Sequence, residues 1–387
     1  ATVDTVTGVI TGVSAGTATI TYTVLGTGGC ADTFTTLDVT VTTPPNAGVL
    51  SGNQAICIAG TTTYTSNGDA GGTFSSGDVT IATVDTTTGV ITGVSAGTAT
   101  ITYTVLGTGG CADTFTTLDV TVTTPPNAGV LSGNQAICIA GTTTFVSDGD
   151  TGGSFTSADT SIATVDTVTG VITGVSAGTA TITYTVLGTG GCADTFTTLD
   201  VTVTTPPNAG VLSGNQAICI AGTTTYTSNG DAGGTFSSGD VTIATVDITT
   251  GVITGVSAGT ATITYTVLGT GGCADAFTTL DVTVTTPPNA GMVSGIQAIC
   301  IGGTTTFVSD GDAGGSFTSG DTSIATVDTV TGVITGVSAG TATITYTVLG
   351  TGGCADTFTT LDVTVTTPPN AGTLSGTQGI CVGDTTT

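Results

Sequence analysis

An 81-residue period constrains this chain more than any other feature. The stretch Ala82–Val105, ATVDTTTGVITGVSAGTATITYTV, has near-copies beginning at Ala1, Ala163, Ala244 and Ala325. A fixed period of this size marks a modular array, so one unit has to be explained and then repeated. Within the stretch, Ala99, Ile101, Tyr103 and Val105 alternate with Thr98, Thr100, Thr102 and Thr104. That is the period-2 signature of a strand with one buried and one wet face. Gly89, Gly93 and Gly97 punctuate the preceding residues as turns.

Composition narrows the function. The 387 residues include no Lys, Arg, His, Trp or Glu, and all 26 acidic residues are Asp, for a formal charge of −26. Nucleic-acid binding needs cations to neutralise phosphates, and none exist here. Attraction to anionic membrane surfaces fails for the same reason. No run of 18 apolar residues occurs, so no membrane-inserted segment is expected, and the positive mean hydropathy of +0.47 reflects Val, Ile and Ala interleaved with Thr and Gly. Such a composition predicts an all-β chain.

Pro-Pro pairs at 44–45, 125–126, 206–207, 287–288 and 368–369 each follow a strand-like LDVTVTT and precede an NAG turn. Proline cannot donate to a sheet ladder, so these pairs read as strand ends and short, stiff linkers. The expected domains are therefore 44–124, 125–205, 206–286 and 287–367. Residues 1–43 form the C-terminal half of a repeat, and 368–387 the N-terminal part of the next. Neither flank reads as a natural terminus, which predicts a window from a longer array. Copies one and three share TTTYTSNGDAGG from Thr61 and Thr223, whereas two and four carry FVSDGD from Phe145 and Phe307. The array therefore grew partly by copying pairs.

Seven short strands are expected in 44–124. They are a first strand broken into 49–50 and 55–58, then 61–66, 72–76, 81–84, 90–92, 98–106 and 115–123. The last two flank a hairpin turn at Gly107–Gly110. Frequent turns in about 80 residues suggest a small two-sheet sandwich of the immunoglobulin type. ATVD, GVITGVSAGTATITYTV and the closing LDVTV resemble the group 2 bacterial immunoglobulin-like domain. The resemblance implies tandem, extracellular domains that serve as stalks or adhesive arms. The further pattern NAGVLSG, ICIAG and GGCADT is similar to repeats in very large secreted surface proteins of Bacteroidetes, gliding adhesins among them.

The ten cysteines fall in two registers, Cys30, Cys111, Cys192, Cys273, Cys354 and Cys57, Cys138, Cys219, Cys300, Cys381. One of each per period, with no His and no CxxC, reads as a disulfide framework in an oxidising compartment and not as zinc. Three pairings stay open. Pairing within a unit (Cys57–Cys111) is the simplest by sequence. In an immunoglobulin-like sandwich, however, Cys111 lies at the pole where the chain enters and Cys57 at the opposite pole. The two poles are roughly 30 Å apart, about ten residues at 3.3 Å, against the ~7 Å Cα limit of a disulfide. Pairing between neighbours (Cys57–Cys192, Cys138–Cys273, Cys219–Cys354) avoids that distance, and Cys30–Cys57 is the third option.

Other candidates are weaker. Asp148, Asp150, Asp310 and Asp312, with Asn67, Asp69, Asn229 and Asp231 in the alternate copies, are candidate calcium ligands. Two carboxylates fall short of the six to eight oxygens calcium takes, and a polar turn explains them as well. Asp85 reads as a turn former before Gly89. Thr5, Thr86, Thr167 and Thr329 follow Asp and resemble the Bacteroidetes O-glycosylation motif, which Ile248 interrupts in the third copy. The outward threonines are explained by β-propensity, and Tyr103 by packing. With no His, Lys, Arg or Glu, catalysis has no general base beyond Asp, so no enzyme is expected. The expected function is an extracellular structural stalk or filament segment of a bacterial cell-surface protein. Its partners would be neighbouring repeats, with lateral contacts to identical chains or binding of surface glycans as the alternatives.

Overall fold

The computed structural model describes residues 1–376 and 378–385, and all regular structure among them is β. Among the described residues no helix is long and apolar enough to cross a membrane, which says nothing of strands. The chain divides into two units, Ala1–Thr205 and Pro206–Thr387. The first holds the half-repeat and two complete repeats, and the second holds two complete repeats and the C-terminal segment.

The repeat at 44–124 shows how alternation becomes a sandwich. Its larger sheet has the order Ala55–Cys57, Thr114–Thr123, Gly97–Val105, Thr73–Ser76. Gly97–Val105 and Thr114–Thr123 pair antiparallel through nine positions, Gly97 opposite Val122 to Val105 opposite Thr114. Ala55–Cys57 adds in parallel beside Thr121–Thr123. The smaller sheet has the order Ala82–Val84, Val90–Gly93, Thr61–Thr63. Because side chains alternate, Ala99, Ile101, Tyr103 and Val105 all point inward and are buried with Val120 and Val122. Ile91 and Tyr64 close the core from the other side, and Phe74 joins Tyr103 within the larger sheet, their rings 4.7 Å apart. Each fully buried aliphatic side chain stabilises the fold by roughly 1.5–3 kcal/mol. The outward threonines hydrogen bond across the sheet, Thr100 donating to Asp119 Oδ1 at 2.6 Å. This arrangement recurs in the other complete repeats, and each core cluster draws on a single 81-residue span.

Two local readings of the sequence are corrected. The expected strand 61–66 is two strands. Thr61–Thr63 pairs with Val90–Thr92, and Thr65–Ser66 pairs with Leu50–Ser51. Tyr64, wholly buried between them, donates its hydroxyl to the Asp119 carbonyl at 2.7 Å, and its own N–H bonds Gly89 rather than either ladder. The hairpin between the long strands is also no tight turn. Pairing stops at Val105 opposite Thr114, which leaves the loop 106–113. Asp113 Oδ1 closes that loop by accepting the Gly107 N–H at 2.8 Å.

Candidate functional site: the junctions between repeats

The long loop has work at the repeat boundary. The corresponding loop of the second repeat carries Gly190, Gly191 and Cys192, and it meets the first repeat where Thr114–Thr123 ends beside Ala55–Cys57. Cys57 and Cys192 form a disulfide with Cα atoms 4.8 Å apart, and Cys219 and Cys354 form the same bond in the other unit at 4.7 Å. Both join neighbouring repeats, and each closes a separation of 135 residues. Cys138 and Cys273 are also disulfide-bonded.

A threonine organises the polar side of the junction. The Thr123 hydroxyl lies 3.3 Å from the Ile56 carbonyl in its own repeat. It also lies 3.1 and 3.3 Å from the Thr189 and Gly190 carbonyls of the next, and 3.3 Å from Cys192 Sγ. Thr285 repeats the set toward Ile218, Thr351, Gly352 and Cys354. Two glycines let the backbones approach. Gly191 has φ +82°, and a Cβ there would stand 2.9 Å from the Ala55 carbonyl; Gly190 has φ +60° and abuts the Thr123 side chain. Only glycine takes such φ values freely and leaves that space open. The linker is tied in as well, since Thr195 donates to the Pro126 carbonyl and Thr357 to the Pro288 carbonyl, both at 3.1 Å.

Four cysteines expected in disulfides are instead free thiols, Cys30, Cys111, Cys300 and Cys381. The observed bridges step 135 residues between a strand-end cysteine and a loop cysteine. From each of these four, that step leads outside the 387 residues. Cys111 nevertheless docks as Cys192 does. Its Sγ lies 3.2 Å from Thr42 Oγ1, and that hydroxyl donates to the Thr108 carbonyl at 2.8 Å.

The acidic candidates have other partners. Asp148 Oδ1 accepts the Val130 N–H at 2.6 Å and Asp150 Oδ2 the Asn127 N–H at 2.8 Å. Asp310 and Asp312 accept Met292 and Asn289 likewise. Asn67 and Asp69 serve Val49 and Asn46 in the first repeat, and Asn229 and Asp231 serve Val211 and Asn208 in the third. These side chains staple the NAG turn to a neighbouring loop. Among the described residues no three metal-ligating side chains cluster. Asp85 Oδ1 accepts the N–H groups of Thr88 and Thr87, which holds its carboxyl below the usual range. Thr5, Thr86, Thr167 and Thr329 are exposed on that turn.

A shallow groove recurs beside it, about 440 Å³ in the first repeat, 470 Å³ in the third and 360 Å³ in the fourth. Tyr64, Gly72, Phe74, Thr88 and Tyr103 line the first. Its aromatic rings are buried, so few faces are offered for stacking, and the Tyr103 hydroxyl is engaged with the Asp69 carbonyl and the Gly72 N–H.

The sequence had not singled out Thr123 or Gly191. A signal was present, because VTVTT and GTGGC recur together in every period.

Stacked all-β sandwiches joined at short linkers define a tandem immunoglobulin-like protein. Residues 38–115, 118–195, 200–274 and 282–358 each match the bacterial Ig-like domain (group 2), and the chain belongs to that family. No curated protein matches its sequence. Several solved structures are similar at low identity. The first eight Ig domains of Down Syndrome Cell Adhesion Molecule are 12% identical, covering 87% of this chain and 51% of that one, with a TM-score of 0.36. A Ca2+-stabilized adhesin that helps an Antarctic bacterium bind ice is 20% identical, with coverages of 83% and 100% and a TM-score of 0.29. A SusE-like surface polysaccharide-binding protein of Bacteroides thetaiotaomicron is 12% identical, with coverages of 82% and 72% and a TM-score of 0.22.

Proposed function

We propose that this chain is a stalk segment of a secreted bacterial surface protein, giving reach and stiffness to whatever it carries. The observation that supports this most is the junction. A disulfide, a threonine hydroxyl and two close-packed glycines fix one repeat against the next, which is more than a flexible tether needs. Near-identical repeats suit a spacer, whose job is length. The charge of −26 keeps neighbouring stalks apart, and the lack of Lys and Arg leaves no site for trypsin-like proteases. Disulfides suit an extracellular setting.

The second reading is an adhesive module that binds glycans through the recurring groove. Its support is the repetition of that groove at one place in several repeats, which would add avidity. A panel of surface polysaccharides and small-angle scattering, both on the oxidised chain, separate the two. The stalk reading expects no saturable binding and a maximum dimension that scales with repeat number. Saturable binding, lost when the groove-lining Thr88, Thr250 and Thr331 are replaced by bulky residues, would transfer the function to the groove.

A further inference from the structure

The bridges do more than hold neighbours together, because they change which residues carry tension. We infer that pulling load runs through the sulfurs and bypasses most of the folded chain, an inference that rests on the stalk reading for its biological use. From the N-terminal side, tension reaches Cys57 and crosses to Cys192 without entering the 135-residue step between them. It then follows the backbone from Cys192 to Cys219 and crosses to Cys354 over a second 135-residue step.

The two repeats of a bridged pair therefore have different roles. In the first repeat only the chain up to the clasp strand Ala55–Cys57 lies in the load path, and both long hairpin strands are shielded. In the second only the stretch from Cys192 through the strand Thr195–Thr204 is loaded. The third and fourth repeat this division, through Ala217–Cys219 and Thr357–Thr366 respectively. An additional bridge elsewhere can shorten this path and never lengthen it.

The consequence is a limit on extension. Each shielded step of 135 residues would release about 450 Å if opened, at about 3.3 Å per extended residue. Even with every strand unravelled, the oxidised chain falls short of the reduced chain by about 900 Å.

Single-molecule stretching of the full chain, held by tags at its two termini, measures this directly. The oxidised chain is pulled to full unfolding, then exposed to a water-soluble phosphine and pulled again. Each bridge opens as the phosphine is oxidised to its oxide with the oxygen of one water, while its two electrons and the two protons make two thiols. The expected result is a gain of about 900 Å after reduction, and an oxidised C57S/C192S chain longer than the unaltered one by up to about 450 Å, the bridges that remain setting how much of that step is released. Because length is read after unfolding, the variant result does not require a native fold at that junction. Equal lengths before and after reduction would overturn the bypass and leave the stalk reading to the scattering test.

Discussion

The first unit contains its own control, since the same loop docks twice. At the boundary near Pro125–Pro126, Thr123 meets Gly190 and Cys192 and the sulfur is bonded to Cys57. At the boundary near Pro44–Pro45, Thr42 meets Thr108 and Cys111 in almost the same geometry, and the sulfur is a free thiol. The difference is the strand. Ala55–Cys57 stands beside the first junction, whereas among the described residues Thr33–Val41 pairs only with Gly16–Val24. Hydrogen bonding thus positions the loop with or without sulfur, and the disulfide locks what is already in register.

The largest effect should come from removing the lock. For a 135-residue separation the chain-entropy treatment of a cross-link gives about 5 kcal/mol. Cys192→Ser should lower the denaturation midpoint of the first two repeats accordingly, while Cys111→Ser should leave it within about 0.5 kcal/mol. Calorimetry of the two variants under oxidising conditions reads the contrast.

A methyl group sharpens the comparison next. Gly191→Ala forces a Cβ to 2.9 Å from the Ala55 carbonyl, whereas Gly110 has nothing within 4 Å of its Cβ position. Both positions carry the cost of a positive φ, about 1 kcal/mol, and only Gly191→Ala adds overpacking of about 1–3 kcal/mol. Chemical denaturation of the pair should show that gap.

Removing the threonine hydroxyl should act in the opposite sense. Thr42→Val loses a hydrogen bond of about 0.5–1.5 kcal/mol at a junction whose loop cysteine, Cys111, is a free thiol, so amide exchange in loop 106–113 should accelerate. Thr123→Val should leave exchange in loop 187–194 nearly unchanged, because the disulfide keeps the loop in place.

The smallest effect at neutral pH separates odd from even repeats. Burial, then the Asp119 charge, pushes the Tyr64 phenol up to about 12, and burial with Asp281 does the same to Tyr226, while Phe145 and Phe307 fill that place in the other repeats. The folded state holds these protons more tightly than the unfolded chain. The stability they contribute is therefore complete below pH 10 and lost as pH rises to about 12. An alkaline melt of the unaltered chain against Y64F/Y226F should show the variant losing less in that window.

The sequence made the array, the all-β class and the buried face plain, because Ala99, Ile101, Tyr103 and Val105 repeat with period 2 and no other pattern competes. The switch at Tyr64 was hidden, since TTTYTS reads as one run and only the three-dimensional burial of the ring divides it. The junction was half legible. Cysteine spacing and sandwich poles restrict the partners of Cys57, but the fit of Gly191 against Ala55 depends on two backbones meeting across a repeat boundary. No local signal encodes that meeting.

The most direct test of the central claim, that the clasp stiffens the array, is the spread of bend angles at the junction near Pro125–Pro126. Electron cryo-microscopy of the oxidised chain and of the C57S/C192S chain would measure it. A narrow distribution that broadens when the bridge is removed is the result this account predicts. Two distributions of equal width would contradict it, and the disulfide would then be a fastening that adds no stiffness.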